Sequence, residues 1–119
     1  MFEQTVQRFL ASCESDAAMQ EFARKRAMSL RFRIADENLE FTLIFKDGIV
    51  RAAIGSLTDH PDLDVKTDAE TFDGVMSGRV NGATAYMMGK LKFRGDTMKG
   101  MAMQKVAKEM IRLWQGAQG

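Results

Sequence analysis

Two runs of alternating apolar and polar residues meet at an Asp-Gly pair near the middle of this chain, and that junction constrains the fold more than any other feature. Leu39, Phe41, Leu43 and Phe45 alternate with Glu40, Thr42, Ile44 and Lys46, the period-two pattern of a strand with one buried face. Asp47-Gly48 is the strongest short-range signal for a hairpin turn, so the strand over residues 49–55 folds back antiparallel to the first. Upstream, Leu30, Phe32 and Ile34 share one face while Arg31 and Arg33 share the other. Shorter alternating runs over residues 63–67 and 91–94 bring the total to five strands. Such strands need cover on one face only. The remaining segments supply it as helices, and the expected class is α+β, one sheet covered on one side.

Helical spacing is clearest at the two ends of the chain. Phe2, Val6, Phe9, Leu10 and Cys13 recur at three- and four-residue intervals, which sets them in one arc of an amphipathic helix. Ser15 and Asp16 can cap a second helix over 17–27, with Met19 and Phe22 on its apolar side and Arg24, Lys25 and Arg26 in the last turn, where the macrodipole favours cations. Further helices are expected over 69–76, 83–88 and 96–114. No repeat or linker interrupts the pattern, and 119 residues suit one domain spanning 1–119.

The last helix carries more apolar surface than a core requires. On a wheel, Ala102, Leu113, Val106, Met110, Met103, Trp114, Ala107 and Ile111 fill an arc of about 180°, where a helix lying on a core needs only about 100°. The excess must meet a second thing: another helix, a membrane surface, a partner chain or a bound ligand. Ten methionines, seven of them from Met76 onward, fit a surface that adapts to its contents, although a methionine-rich core would read the same way.

Several function classes are excluded or weakened. Seventeen Lys and Arg against sixteen Asp and Glu leave no basic excess for a nucleic-acid partner. The longest uncharged run, residues 80–89, holds ten residues, against the roughly 18 to 20 apolar ones of a membrane-spanning helix. The first residues lack the pattern of a signal peptide, and the lone Cys13 closes no internal disulfide, which points to the cytoplasm. Asp59, His60, Asp62 and Asp64 have metal-ligand chemistry, but beside Pro61 they read as a solvated turn. Cys13 sits on an apolar arc, where a thiol is inert packing. Gly82 and Gly89-Lys90 miss the spacing of a phosphate loop. No catalytic residue, metal or cofactor is therefore expected. Arg24, Lys25, Arg26, Arg31 and Arg33 are either a patch for anionic lipid headgroups or ordinary solvated helix-end and strand-face residues.

Residues 77–96, reading SGRVNGATAYMMGKLKFRGD, resemble the signature of the sterol carrier protein type 2 family of lipid-binding and lipid-transfer domains. The resemblance rests on a short Gly-ended helix with Ala85, Tyr86 and Met87, then Gly89-Lys90-Leu91-Lys92-Phe93, then Gly95-Asp96 opening the last helix. Residues 62–68 followed by Phe72, and the hairpin at Asp47-Gly48, extend it to about residues 28–115. It implies a five-stranded, largely antiparallel sheet with helices on one face, enclosing an apolar tunnel for acyl chains, sterols or similar lipids. Met76, Met87, Leu91 and Phe93 would border that tunnel, and Met103, Val106, Met110 and Trp114 would close it. Met88 joins this ligand-binding set at the place where the family often has a glutamine, which favours a purely apolar chain over a sterol held by its hydroxyl. Lacking a C-terminal Ser-Lys-Leu, the chain resembles a free-standing microbial member.

The expected function is to bind and carry a hydrophobic ligand. The alternative is an accessory protein that presents a lipophilic intermediate, such as a quinone precursor, to pathway enzymes. The partner expected first is a lipid or other long apolar molecule, with transient contact at a membrane surface, and a homodimer through the same apolar arc is a competing use of it.

Overall fold

In the computed structural model, which describes residues 1–118, Asp47 and Gly48 take φ of 53° and 78°. These positive values are what a two-residue hairpin turn needs. The turn joins β2 (Leu39–Lys46) to β3 (Ile49–Ile54), with Lys46 opposite Ile49. β1 (Met28–Ile34) pairs antiparallel with the other edge of β2. Beyond it lie β4 (Leu63–Thr67) and β5 (Lys92–Gly95), giving the order β3-β2-β1-β4-β5.

The sheet is mixed. Three of its four pairings are antiparallel, but β4 runs parallel to β1. Residues 55–62 make that possible by crossing the sheet's outer face. Thr42 anchors the crossing: its hydroxyl donates to the Gly55 carbonyl at 2.7 Å and accepts from the Leu57 amide at 3.2 Å. At the far end Asp62 Oδ2 accepts from the Ser29 amide at 2.9 Å, pinning the start of β4 beside β1. Period-two alternation then aims Leu30, Phe32 and Ile34 inward, and all are buried. Outside, Arg31 and Arg33 pair with Asp64 at 2.8 and 3.2 Å, and Arg33 also with Glu40 at 3.5 Å.

The helices cover the inner face. α1 (Phe2–Ser15) lies against β3 and the last helix, burying Val6, Phe9, Leu10 and Cys13. α2 (Ala17–Lys25) is capped by Asp16, which accepts from the Met19 amide at 3.1 Å. α3 (Ala69–Met76) and the short α4 (Gly82–Met87) precede β5, and α5 (Thr97–Gln118) follows it. α5 runs past the Trp114 end expected from its apolar spacing, because Ala117 is buried and its carbonyl accepts from Arg8 Nε at 2.9 Å. At the centre Phe72 packs against Phe2, Phe32, Phe41 and Trp114, with ring centroids 5.1 to 6.1 Å away.

Gly95 is the one position where the sheet edge demands glycine. Its φ is 141°, and a Cβ there would collide with the Asp62 carbonyl.

Candidate functional site

An apolar cavity of about 260 Å³ lies between the sheet and α5. Inward positions of three adjacent strands, Phe32 of β1, Val65 of β4 and Phe93 of β5, form its floor. Phe72, Val75 and Met76 of α3 make one wall. Gly82 at the start of α4 and Leu91 before β5 make another, and Gly100, Met103, Gln104, Ala107, Met110 and Ile111 of α5 make the roof.

The roof residues recur at three- and four-residue spacings, so they form a stripe along α5. A second stripe, Ala102, Val106, Met110, Leu113 and Ala117, is buried in the core. Met110 belongs to both. The wide apolar arc of the sequence is therefore two stripes side by side, one packed on protein and one over a hollow.

Burial falls from floor to rim. Phe32, Val65, Phe72, Met76 and Met110 are all buried, whereas Gly82, Leu91, Phe93, Gly100 and Ile111 are only partly covered and Gln104 is exposed. The cavity thus opens toward solvent on the side framed by α4, the approach to β5 and the first turns of α5. Gly100 keeps that side clear, since a Cβ there would stand 3.1 Å from the Phe93 ring. Gln104 is the one polar side chain in the lining, and it sits at the rim.

Of the residues nominated from sequence, Met76, Leu91, Phe93, Met103 and Met110 stand in the cavity wall. Val106 and Trp114 do not. Each is 1% exposed within the core; Val106 borders a mixed polar groove with Phe22 and Lys105, and Trp114 stacks edge-on to Phe9 and Phe72. Met87 and Met88 lie outside the cavity and are 84% and 64% exposed. α4 is short and buries only Ala85, so the residues after it point to water. Phe32, Val65, Phe72, Ala107 and Ile111 were not nominated, although the inward parity of the strands and the edge of the α5 arc would have found them. Gln104 carried no such signal, because on the wheel it falls with the solvated residues.

The ionisable groups near this core are structural. Burial alone would raise the Asp73 carboxyl, but hydrogen bonds from Trp114, Arg79, Ser77 and Gln118 outweigh it and hold the group below the usual carboxylate range. The Trp114 Nε1 contact is 2.9 Å. Burial pushes the Cys13 thiol up to about 12, with the Asp16 and Glu14 charges adding to the effect. Asp62 and Asp64 are engaged by Ser29, Arg31 and Arg33. Among the described residues no three His, Cys, Asp or Glu side chains converge on a point, and no helix is long and apolar enough to cross a membrane.

A mixed five-stranded sheet with helices over one face and an apolar hollow beneath the last of them defines the class: a small α+β domain with an apolar cavity under its final helix. The chain belongs to the SCP-2 sterol transfer family, whose model matches residues 6–108. The fold is shared with a conserved hypothetical protein of Thermus thermophilus, a sterol carrier protein candidate, at TM-score 0.70 and 19% identity over 97% of this chain and 87% of that one. A crystal structure of sterol carrier protein 2 matches at TM-score 0.69 and 18% identity, covering 92% of each chain. A UbiJ-SCP2 ubiquinone synthesis protein matches at 0.59 and 16%, over 98% and 94%. The sec-alkylsulfatase Pisa1 of Pseudomonas sp. matches 79% of this chain at 24% identity and TM-score 0.61, but the chain spans only 14% of that enzyme's length. No curated protein matches in sequence.

Proposed function

We propose that residues 1–119 act as one carrier domain that takes up a long apolar lipid, an acyl, sterol or isoprenoid chain, in the cavity beneath α5, and that this cavity is the tunnel implied by the sequence resemblance. The observation that carries the reading is the second stripe on α5. Gly100, Met103, Ala107 and Ile111 line a hollow, and an unfilled hollow forfeits dispersion contacts on one side. Each methylene moved from water into such a lining gains roughly 0.8 kcal/mol, so a dozen supply about 10 kcal/mol before ordering costs.

Selectivity should be weak. With Gln104 alone at the rim, the lining makes no demand for a matching polar group, and Met76, Met103 and Met110 can repack around different shapes. The cavity lies below the usual range of about 300–1,000 Å³ for small-molecule sites, so a bulky ring system requires those methionines to move, whereas an unbranched chain fits with less adjustment. A homodimer through the α5 arc is disfavoured, because its core stripe is already buried within one chain. The buried free thiol of Cys13 suits a reducing compartment, and we place the carrier in the cytoplasm. No reaction is proposed, since Cys13 is held protonated and sealed in the core.

Titration with a fluorescent long-chain acyl probe tests the reading. One saturable site per chain is expected; failure of acyl, isoprenoid and sterol probes alike to saturate would sink it. The likeness to a ubiquinone synthesis protein favours one further reading, a presenter of lipophilic quinone precursors. A prenylated ring co-purifying with the chain, together with pull-down of biosynthetic enzymes, would select it over a free carrier.

A further inference from the structure

The two edges of the sheet are finished differently. Along β3, α1 lies against the strand and the Glu14 carboxylate accepts from the Ala52 amide at 3.0 Å, which closes that edge to a further strand. β5 has no such cover. The Asp96 amide donates to the Asp62 carbonyl at 3.2 Å, and this bond fixes the phase of the antiparallel ladder. Lys92 and Arg94 then bond back to β4, while Phe93 and Gly95 direct their N–H and C=O groups away from the sheet. Among the described residues no hydrogen bond outside the β4 ladder reaches either of them.

The side chains of this open edge carry one sign. On the outer face Arg33, Lys66 and Lys92 stand side by side in one cross-strand row, and like charges in that arrangement cost stability. Lys66, Lys92 and Arg94 are exposed, and among the described residues none of the three makes an ion pair. Asp64, the ladder neighbour of Arg94, is already held by Arg31 and Arg33 at 2.8 and 3.2 Å. The carboxylates beside Lys66, Lys90 and Lys92 are also engaged: Asp36 accepts from the Ala69 amide at 2.8 Å and Asp68 from the Thr71 amide at 2.7 Å. On the inner face Phe32, Val65 and Phe93 form another cross-strand row. That row is the cavity floor, and it ends at the same edge.

We propose that the β5 edge docks a partner protein, which adds an extended segment antiparallel to β5, with acidic residues on the outer face beside Lys92 and Arg94 and an apolar residue on the inner face beside Phe93. The free amides and carbonyls supply the pairing, and the side chains supply the selectivity. A second copy of this chain does not fit, because pairing β5 with itself about Phe93 sets Lys92 of each copy against the other's Arg94. A nucleic acid would meet the cations but leave the edge amides and carbonyls unused. The added apolar residue extends the row Phe32, Val65, Phe93 by one strand, at the mouth of the cavity. The docked segment therefore stands where cargo leaves, a consequence that rests on the carrier reading above.

The test titrates the full chain with a capped synthetic peptide alternating Glu and Val. One saturable site is expected, weakening as salt is raised, and a peptide alternating Lys and Val should not bind. In the complex the Phe93 amide should exchange with solvent at least about tenfold more slowly than in the free chain. N-methylation of the Val amides, which face β5 in an antiparallel pairing, should abolish binding, whereas N-methylation of the Glu amides, which face away, should be tolerated. Lys92→Gln/Arg94→Gln should weaken binding about tenfold, since each opposite-charge cross-strand pair is worth up to about fivefold. Lys105→Gln/Lys108→Gln, on α5, should change it less than about twofold. Saturating peptide should also slow release of a preloaded acyl probe. No peptide binding, equal binding of the peptide with N-methylated Val, an unprotected Phe93 amide, or binding of polyuridylate with none of the peptide would overturn the docking site. Peptide binding with unchanged probe release would overturn its placement at the mouth. Probe loading without peptide binding defeats the docking site alone, and peptide binding without loading of any probe defeats the carrier reading alone.

Discussion

Ala107→Phe asks directly whether the ligand occupies the hollow under α5. Ala107 lies in the cavity roof between Met103 and Ile111 and is partly covered, so a larger side chain there grows into the void. A cavity of about 150 Å³ suffices for a benzene ring, so the phenyl group would take more than half of the 260 Å³. If a bound chain gains about 10 kcal/mol from a dozen buried methylenes, losing half that space removes about 5 kcal/mol, or more than a thousandfold in Kd. Partial exit of the chain through the rim softens the loss, and at least a hundredfold weakening is expected. Stability should stay within about 1 kcal/mol of the parent, because the ring fills empty apolar space without displacing packed atoms. The assay pairs acyl-probe titration with urea denaturation of the same sample. Lys108→Phe, on the solvated side of the helix, serves as the control. A folded Ala107→Phe protein that binds the probe as tightly as its parent would show that the ligand sits elsewhere.

Other expectations follow from the same packing. Met103→Lys should weaken lipid uptake far more than Lys108→Glu, since an ammonium among Phe93, Leu91 and Ile111 must be desolvated by the guest; equal effects in the probe titration would remove α5 from the site. Asp73 titrates below the usual carboxylate range, so its contribution to stability is complete above about pH 4 and disappears as pH falls through the lowered value. Asp73→Ala, which leaves the buried Trp114 N–H without its acceptor, should cost about 1–3 kcal/mol in urea unfolding followed by Trp114 fluorescence, and an unchanged midpoint would refute the anchor. Cys13, with its thiol raised to about 12, should resist alkylation at pH 8 in the native protein and react on unfolding. Because the folded value is the higher one, the stability it lends is whole below about pH 8.5 and fades as pH rises toward 12. Rapid native alkylation would place the thiol outside the core.

What the sequence by itself determined was local. The alternation around Asp47-Gly48 specified a hairpin because a one-residue slip would turn Leu39, Phe41, Leu43 and Phe45 out to water. The 180° arc on the last helix likewise announced that its apolar surface exceeded what one core contact consumes. Periodicity, however, reports which face is apolar and not what covers it. Only the tertiary structure decided that Val106 packs into the core while Ala107, 100° around the helix, roofs a cavity. It also turned Met87 and Met88 outward, since one short helix with a single buried alanine cannot hold them in. The parallel pairing of β1 with β4 was equally beyond local reading: it depends on residues 55–62 crossing the outer face, anchored by Thr42 and Asp62. Those contacts join residues far apart in the chain, and each exists only after the strands they connect have found one another.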